Sequence, residues 1–332
     1  MTHLVATTGP HGSMHGDLNR RRLSCAWIAV LLVLTTMAGG GCAGLRSDSE
    51  VGIEASRAAA YCPDTDLPQR IILNLTDTPA TSQAVTWRTC RNMIAPRAQI
   101  LPASGSARFD EHPDQVNARS QAVNLDDGRV IFQHDVVFDG LRADTQYAYR
   151  VGADGAWSEW NQFKTAASGP APFSFVYFGD PQEEIRATCS RVFRAAYKKA
   201  PEAAFWHFVG DLVDNGDRDE EWGELFDAMG WIPRTTPAIM LPGNHAYPNR
   251  RMVKAADFRL FGLWRRHFIL PENGPAGLEE TVYAIDYQGV RLVMLNGNER
   301  LREQARWLAR VLSVNPQRWT IVAIHQPGYS TG

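Results

Sequence analysis

Excess basic charge, long apolar runs and cysteine are all scarce in this chain, and each scarcity excludes something. Its 34 Lys and Arg are offset by 36 Asp and Glu, a formal net charge of -2. With no positive field and no interleaving of basic and aromatic residues, nucleic acid is a poor candidate partner. The apolar run from Ala26 to Met37 falls well short of the ~20 residues that a membrane-spanning helix needs. It follows Arg20-Arg21-Arg22 and precedes Ala38-Gly39-Gly40-Gly41-Cys42. That order of basic, apolar and small residues is the layout of an export signal over residues 1–42. Met14 can also serve as the start, because residues 1–13 add nothing to it.

Of the five cysteines, Cys25 and Cys42 belong to this leader. Cys42, directly after small residues, resembles the lipidation site of bacterial lipoproteins, although Gly39 stands where that pattern prefers Leu. A lipid anchor at Cys42 and plain secretion, periplasmic or beyond, both remain open; either way the chain is expected to be exported. Export permits disulfides, so Cys62 and Cys90 could pair and pin the incoming linker, 43–69, to the first domain. Cys189 reads as a small buried hydrophobe.

From 70 to 166 the chain shows short apolar or alternating runs and no helical period: Ile71 to Leu75, Ala84 to Arg88, Arg129 to Phe132 and Gln146 to Val151. Several short strands in such a length predict an all-β sandwich. Ala166 to Pro172 then reads as a linker.

The pattern changes again at Phe173. An apolar strand, Phe173 to Phe178, ends in Gly179-Asp180-Pro181-Gln182. A helix follows from Glu183 to Ala200, and a second strand, Ala203 to Val209, ends in Gly210-Asp211-Leu212-Val213-Asp214-Asn215-Gly216. This is a βαβ unit, whose parallel strands bring Asp180 and Asp211 to one edge. Trp222, Leu225, Phe226 and Met229 mark another helix, and Pro237 to Leu241 ends in Pro242-Gly243-Asn244-His245. A helix over much of Met252 to His267 comes next. Then follow a hairpin turning at Gln288-Gly289, a helix marked by Leu301, Ala305, Leu308 and Leu312, and a last strand, Trp319 to Ile324, ending in His325-Gln326-Pro327. An α/β (α+β) domain over 173–332 is the expectation.

An isolated Asp, Asn or His after a strand is most often a turn former or a capping group. Four strand ends offering Asp180, Asp211, Asn244 with His245, and His325 are harder to dismiss. Hard oxygen donors mixed with imidazole suit Fe, Mn or Zn. They are enough to begin a two-metal cluster in which one carboxylate bridges, the arrangement that supports in-line phosphoryl displacement.

The ordered set Gly-Asp-Pro-Gln, Gly-Asp-Leu-Val-Asp-Asn-Gly, Gly-Asn-His and His-Gln-Pro-Gly-Tyr resembles that of the calcineurin-like metallophosphoesterases. With a sandwich before it that resembles a fibronectin type III-like module, the whole is similar to bacterial purple acid phosphatases. That resemblance implies hydrolysis of small phosphate esters by attack of a metal-bound hydroxide at a dinuclear centre of Fe with Zn, Mn or Fe. Asp180 would bind one metal, Asp211 both, and Asn244 and His325 the second. His245 would contact phosphate and protonate the leaving group.

Three departures qualify the likeness. Asp214 occupies the place of the Tyr that colours the purple members, which implies no visible charge-transfer band and offers one further possible oxygen ligand. Ala246 replaces the acid usual after Gly-Asn-His. The family's final Gly-His-x-His, which gives each metal a histidine, does not appear in the seven residues after His325. The expectation is therefore a phosphoesterase domain truncated at its C-terminus, with impaired activity. Two other readings are a non-catalytic exported binding or accessory protein with a degraded metal site, and a phosphodiesterase of the same superfamily. His112, His134, His207 and His267 are expected to be structural or surface residues.

Overall fold

The computed structural model of the chain describes Cys62 and residues 65–328. The export signal, the Cys42 anchor and most of the 43–69 linker lie outside the described residues. No helix among the described residues is long and apolar enough to cross a membrane.

The first half is a β-sandwich, built on period-two alternation that works on both faces at once. Strands β1 (Gln69–Asn74), β2 (Gln83–Thr89), β5 (Arg119–Asn124) and β6 (Val130–Phe138) make one layer. Strands β3 (Arg97–Pro102), β4 (Asp114–Asn117), β7 (Gln146–Ala153), β8 (Ala156–Trp157) and β9 (Asn161–Lys164) make the other. Between them lies a core of Ile71, Leu73, Val85, Trp87, Ile100, Phe138, Tyr149 and Phe163. The residues between these on β1 and β2 are also buried, because the other face is covered by the second domain: Ile72 joins that domain's core. Thr86 donates to the His267 carbonyl at 2.7 Å, and Arg88 binds Asp219 at 2.8 and 2.9 Å. Burial on both faces is why β1 reads as a continuous apolar run instead of an alternation.

The second domain continues the same sheet. Strands β10 (Val176–Phe178), β11 (Trp206–Val209) and β12 (Ala238–Leu241) run parallel, and β12 pairs in parallel with β1 at Asn74 and Ala238. The order is β10-β11-β12-β1-β2-β6-β5. The two domains therefore share a sheet, a join that sequence alone did not disclose. Asn74 makes it: its side-chain amide donates to the Ala238 carbonyl at 3.1 Å, and its side-chain oxygen accepts the Ile269 N–H at 3.2 Å.

The expected βαβ unit is present, its crossover formed by a π turn (Ile185–Cys189) running into α1 (Ser190–Lys199). Helix α2 (Asp219–Met229) buries Trp222, Leu225, Phe226 and Met229, the stripe its spacing predicted. Cys62 and Cys90 form a disulfide, with their Cα atoms 5.6 Å apart, and Cys189 is free.

The helix expected over Met252–His267 is not formed. The structure has a 3-10 turn at Ala255–Asp257 and one helical turn, α3 (Trp264–His267). Tertiary contacts override the apolar spacing. Phe258 stacks on Tyr247 with ring centroids 5.2 Å apart, and the Phe261 N–H donates to the Ala246 carbonyl at 3.0 Å. The chain is thereby folded back into a closed loop. The expected hairpin, β13 (Tyr283–Tyr287) and β14 (Val290–Leu295), the helix α4 (Leu301–Ser313) and the strand β15 (Trp319–Ile324) all form. Strands β13, β14 and β15 make a separate three-stranded sheet, with β15 at its edge among the described residues and Trp319, Val322 and Ile324 exposed.

Candidate metal centre

The four strand ends that carry the motifs come from two sheets, not one. Asp180 follows β10 and Asp211 follows β11, each after a glycine, and both hold left-handed backbone angles, φ 54° and 48°. Such angles strain a non-glycine residue and persist where the surroundings enforce them, a pattern that clusters at functional sites. His325 arrives at the end of β15 from the other sheet. One ligand atom from each of Asp180, Asp211 and His325 lies within 4.8 Å of the other two.

Close backbone approach makes this convergence possible. A Cβ on Gly210, whose φ is +85°, would lie 2.4 Å from His325 Nδ1, and a Cβ on Gly243 would lie 2.0 Å from Asp211 Oδ1. Only glycine at those two positions lets the His325 ring and the Asp211 carboxylate occupy their places.

Hydrogen bonds then orient the donors. His325 Nδ1 lies 2.9 Å from the Val209 carbonyl, which can only accept, so Nδ1 carries the proton in that contact. Its Nε2 is turned toward the carboxylates, 3.1 Å from Asp211 Oδ2 and 4.0 Å from Asp180 Oδ1. The hydrogen bond to Asp211 holds the imidazolium form of His325 above its ordinary range, although burial works against it. Asp211 is buried, and its Oδ1 accepts the His245 backbone N–H at 2.9 Å. Asp180 is mostly exposed, with its side chain 60% accessible.

Asn244 begins a 3-10 turn, Asn244–Ala246, and stands exposed beside the groups that fix Asp211. The His245 ring lies next to it, with Nε2 3.9 Å from Asp211 Oδ2. Its Nδ1 faces Asp214 twice: the backbone carbonyl at 2.6 Å and carboxylate Oδ1 at 3.1 Å. Asp214, read from sequence as a possible metal ligand, is therefore turned to His245 and is not part of the carboxylate–imidazole cluster. The reason lies in the loop, where Asn215 Nδ2 holds the other Asp214 oxygen at 3.1 Å. His207 and His267 are buried as structural residues among aromatic rings, and His134 contacts Thr89 at 2.8 Å.

The sequence reading missed the residues that tie the turns together. Asn298 Nδ2 donates to the Gly243 carbonyl at 3.0 Å, and Gln326 Nε2 donates to Asn298 Oδ1 at 3.0 Å. The turn bearing Asn244 and His245 is thereby linked to the strand end bearing His325. Asn296 is fully buried and donates to the Tyr247 hydroxyl at 2.7 Å. A signal for them was present: Asn296-Gly297-Asn298 follows β14 as the other motifs follow their strands.

Comparison with known proteins accounts for the arrangement. Residues 173–332 match the calcineurin-like phosphoesterase family, and the strand-end carboxylates and imidazoles described above are all in that segment. Residues 68–165 match the N-terminal domain of the purple acid phosphatases. The chain thus carries a calcineurin-like phosphoesterase domain preceded by a domain of the purple acid phosphatase N-terminal type.

An uncharacterized protein of Mycobacterium tuberculosis is 26% identical over 296 residues, covering 76% of this chain and 53% of its own length. Purple acid phosphatase 22 of Arabidopsis thaliana is 25% identical over 206 residues, covering 60% of this chain and 44% of its own length. Among solved structures, purple acid phosphatase PPD1 from yellow lupin (Lupinus luteus) seeds superimposes with a TM-score of 0.65 at 17% identity, over 80% of this chain and 52% of that one. PhoD superimposes with a TM-score of 0.56 at 12% identity, over 79% of this chain and 63% of that one. At such identities the structural likeness shows the fold alone. The chain spans about half the length of the curated relatives it matches.

Proposed function

We propose that this chain is a metal-dependent phosphoesterase that hydrolyses small phosphate esters where the two sheets meet. One observation carries the reading: two carboxylates and an imidazole, delivered by three strand ends, converge within 4.8 Å of one another. The donor set fits a hard or borderline cation. At 3.1 Å, His325 Nε2 and Asp211 Oδ2 either share a proton or share a metal. Asp180, Asp211, Asn244 and His325 would hold a pair of ions, Fe with Zn, Mn or Fe. When bound, such ions supply the Lewis acidity that phosphoester hydrolysis uses.

The chain's own groups do the rest. Asp211 is oriented through Oδ1 by the His245 N–H, so that Oδ2 is presented to the cluster. His325 is fixed in one tautomer through Val209, which leaves Nε2 as the ligand atom. His245 donates from Nδ1 to Asp214 and directs Nε2 toward the reacting ester. From there a protonated His245 can pass its proton to the leaving oxygen as the bond to phosphorus breaks. An exported location is part of this proposal, supported by the Cys62–Cys90 disulfide; lipidation at Cys42 stays a proposal too.

The test is to load the purified chain with iron and zinc, then measure metal uptake by calorimetry and hydrolysis of 4-nitrophenyl phosphate. Loss of an outer hydrogen-bond partner commonly costs 10–100-fold, so loss of the bridging carboxylate in Asp211→Ala should cost more than about 100-fold. Failure to bind metal, or equal hydrolysis by the metal-free wild type, would overturn the proposal.

A further inference from the structure

The general-acid histidine opens onto a cleft of about 740 Å³. That is within the roughly 300–1,000 Å³ typical of small-molecule sites. One wall is the loop at 247–261, which leaves the Asn244–Ala246 turn and is closed back onto it by the Phe261 N–H bond to Ala246. Compact loops with their ends joined are frequent carriers of function. Tyr247, Arg250, Met252, Val253 and Phe258 line the cleft from this loop, and His245 is part of the same lining.

We propose that this cleft receives the alcohol portion of the substrate and selects phosphate monoesters of aromatic alcohols. The inference rests on the phosphoesterase reading and deepens it. Its first support is direction. A proton donor must face the leaving oxygen, so the alcohol departs on the side of His245, which is the side of the cleft. Its second support is the chemistry of the wall. Tyr247 and Phe258 are stacked at 5.2 Å, the Arg250 guanidinium lies 4.9 Å from the Phe258 ring centre, and Met252 is 82% exposed beside them. Aromatic, thioether and guanidinium surfaces are good partners for a flat ring and have little advantage for a methyl group.

Two polar residues of the cleft are already engaged by internal contacts. Asn215 bonds Glu221 and Asp214, and Asn298 bonds Gly243 and Gln326. Discrimination therefore falls to the apolar wall. The loop also carries four basic residues, Arg250, Arg251, Lys254 and Arg259, against one carboxylate, Asp257. Of these only Arg250 lines the cleft, together with two carboxylates, Asp214 and Asp217, so charge adds little to the selection made by the wall.

The experiment uses two inert phosphate mimics, phenylphosphonate and methylphosphonate, titrated by calorimetry into the metal-loaded full chain. Phenylphosphonate should bind at least about ten-fold more tightly, the worth of one well-placed ring. Met252→Ala and Phe258→Ala should each narrow that ratio to below about three-fold. Met252 is exposed and its variant should keep the wild-type fold, so where Phe258→Ala is disturbed the ratio in Met252→Ala decides alone. Equal affinity for the two phosphonates in the wild type, or an unchanged ratio in Met252→Ala and a folded Phe258→Ala, overturns the aryl subsite and leaves the phosphoesterase reading standing. A chain that takes up metal but binds neither phosphonate overturns both.

Discussion

Removal of the Asp219 charge should do more damage to the fold than removal of either arginine bound to it. Asp219 begins α2 in the second domain, while Arg70 and Arg88 lie on β1 and β2 of the sandwich. All three are buried. Arg70 donates to Asp219 Oδ1 at 2.6 Å, to Oδ2 at 3.1 Å and to its carbonyl at 2.9 Å, and Arg88 donates to both carboxylate oxygens. Burial would push the Asp219 carboxyl up, but the two guanidiniums outweigh it and hold the group well below the carboxylate range. Arg70 bears the opposing cost: burial, then repulsion by Arg88, brings it down to about 9.

Asp219→Asn would take from two buried cations the carboxylate that both of them bind. Breaking a buried pair in this way costs about 3–5 kcal/mol. For a chain of this size, at about 2.1 cal/mol/K of unfolding entropy per residue, that is roughly 4–7 °C in Tm. Arg70→Met leaves the neutral Arg88–Asp219 pair and should cost less than half as much. Urea denaturation followed by tryptophan fluorescence measures both. A loss below about 1 kcal/mol for Asp219→Asn, or an equal loss for Arg70→Met, would refute the charge-balance reasoning.

Gly243→Ala should weaken metal binding by about ten-fold or more in calorimetry, because the new methyl would overlap Asp211 Oδ1 at 2.0 Å; unchanged affinity would mean that the carboxylate is not held where the structure places it. Acid should destabilise the fold through its buried histidines. Desolvation pushes His134 and His207 down to about 4 from the ordinary 6.5. Between those values the unfolded chain binds protons that the folded chain does not, so their stabilising contribution is complete above about pH 6.5 and falls as pH drops toward 4. Each histidine accounts for about 3 kcal/mol of that fall. His207→Leu should show a shallower loss of urea midpoint between pH 7 and 4.5 than the wild type, and an identical slope would contradict the assignment. Iron-loaded protein should show no tyrosinate charge-transfer band if Asp214, which faces His245, stands where the resemblance to the coloured phosphatases implies a Tyr; a visible band would show that a phenolate reaches the metal.

Much of the site was legible because its chemistry is written locally. Each motif follows a short apolar strand, and a strand end delivers the next side chain to one edge whatever the rest of the fold does. Asp180, Asp211 and His325 converge on that logic. The role of Asp214 was not legible, because a loop aspartate can turn toward a metal or toward a histidine, and the choice is made by a neighbour, Asn215. The expected helix over 252–267 failed for a related reason: Val253 and Phe258 line a cleft and Phe261 returns to Ala246, contacts that no local spacing discloses.

The deeper limit concerns faces. Sequence alternation shows that Ile71, Leu73 and Ile72 are apolar, but not that the first two belong to one core and the third to another. That division is what makes the sandwich more than an appendage. Because β1 is simultaneously a layer of the sandwich and the neighbour of β12, the strand that carries Asn244 and His245 is paired on one side by β11, the strand of Asp211, and on the other by the sandwich. The candidate metal centre is built entirely from the second domain, yet the sheet that sets its strand ends in register passes directly into the first. Loosening the Arg70–Asp219–Arg88 triad should therefore be felt at the metal centre without touching a ligand, and metal affinity in Asp219→Asn is the measurement that would tell a shared scaffold from two domains that merely adjoin.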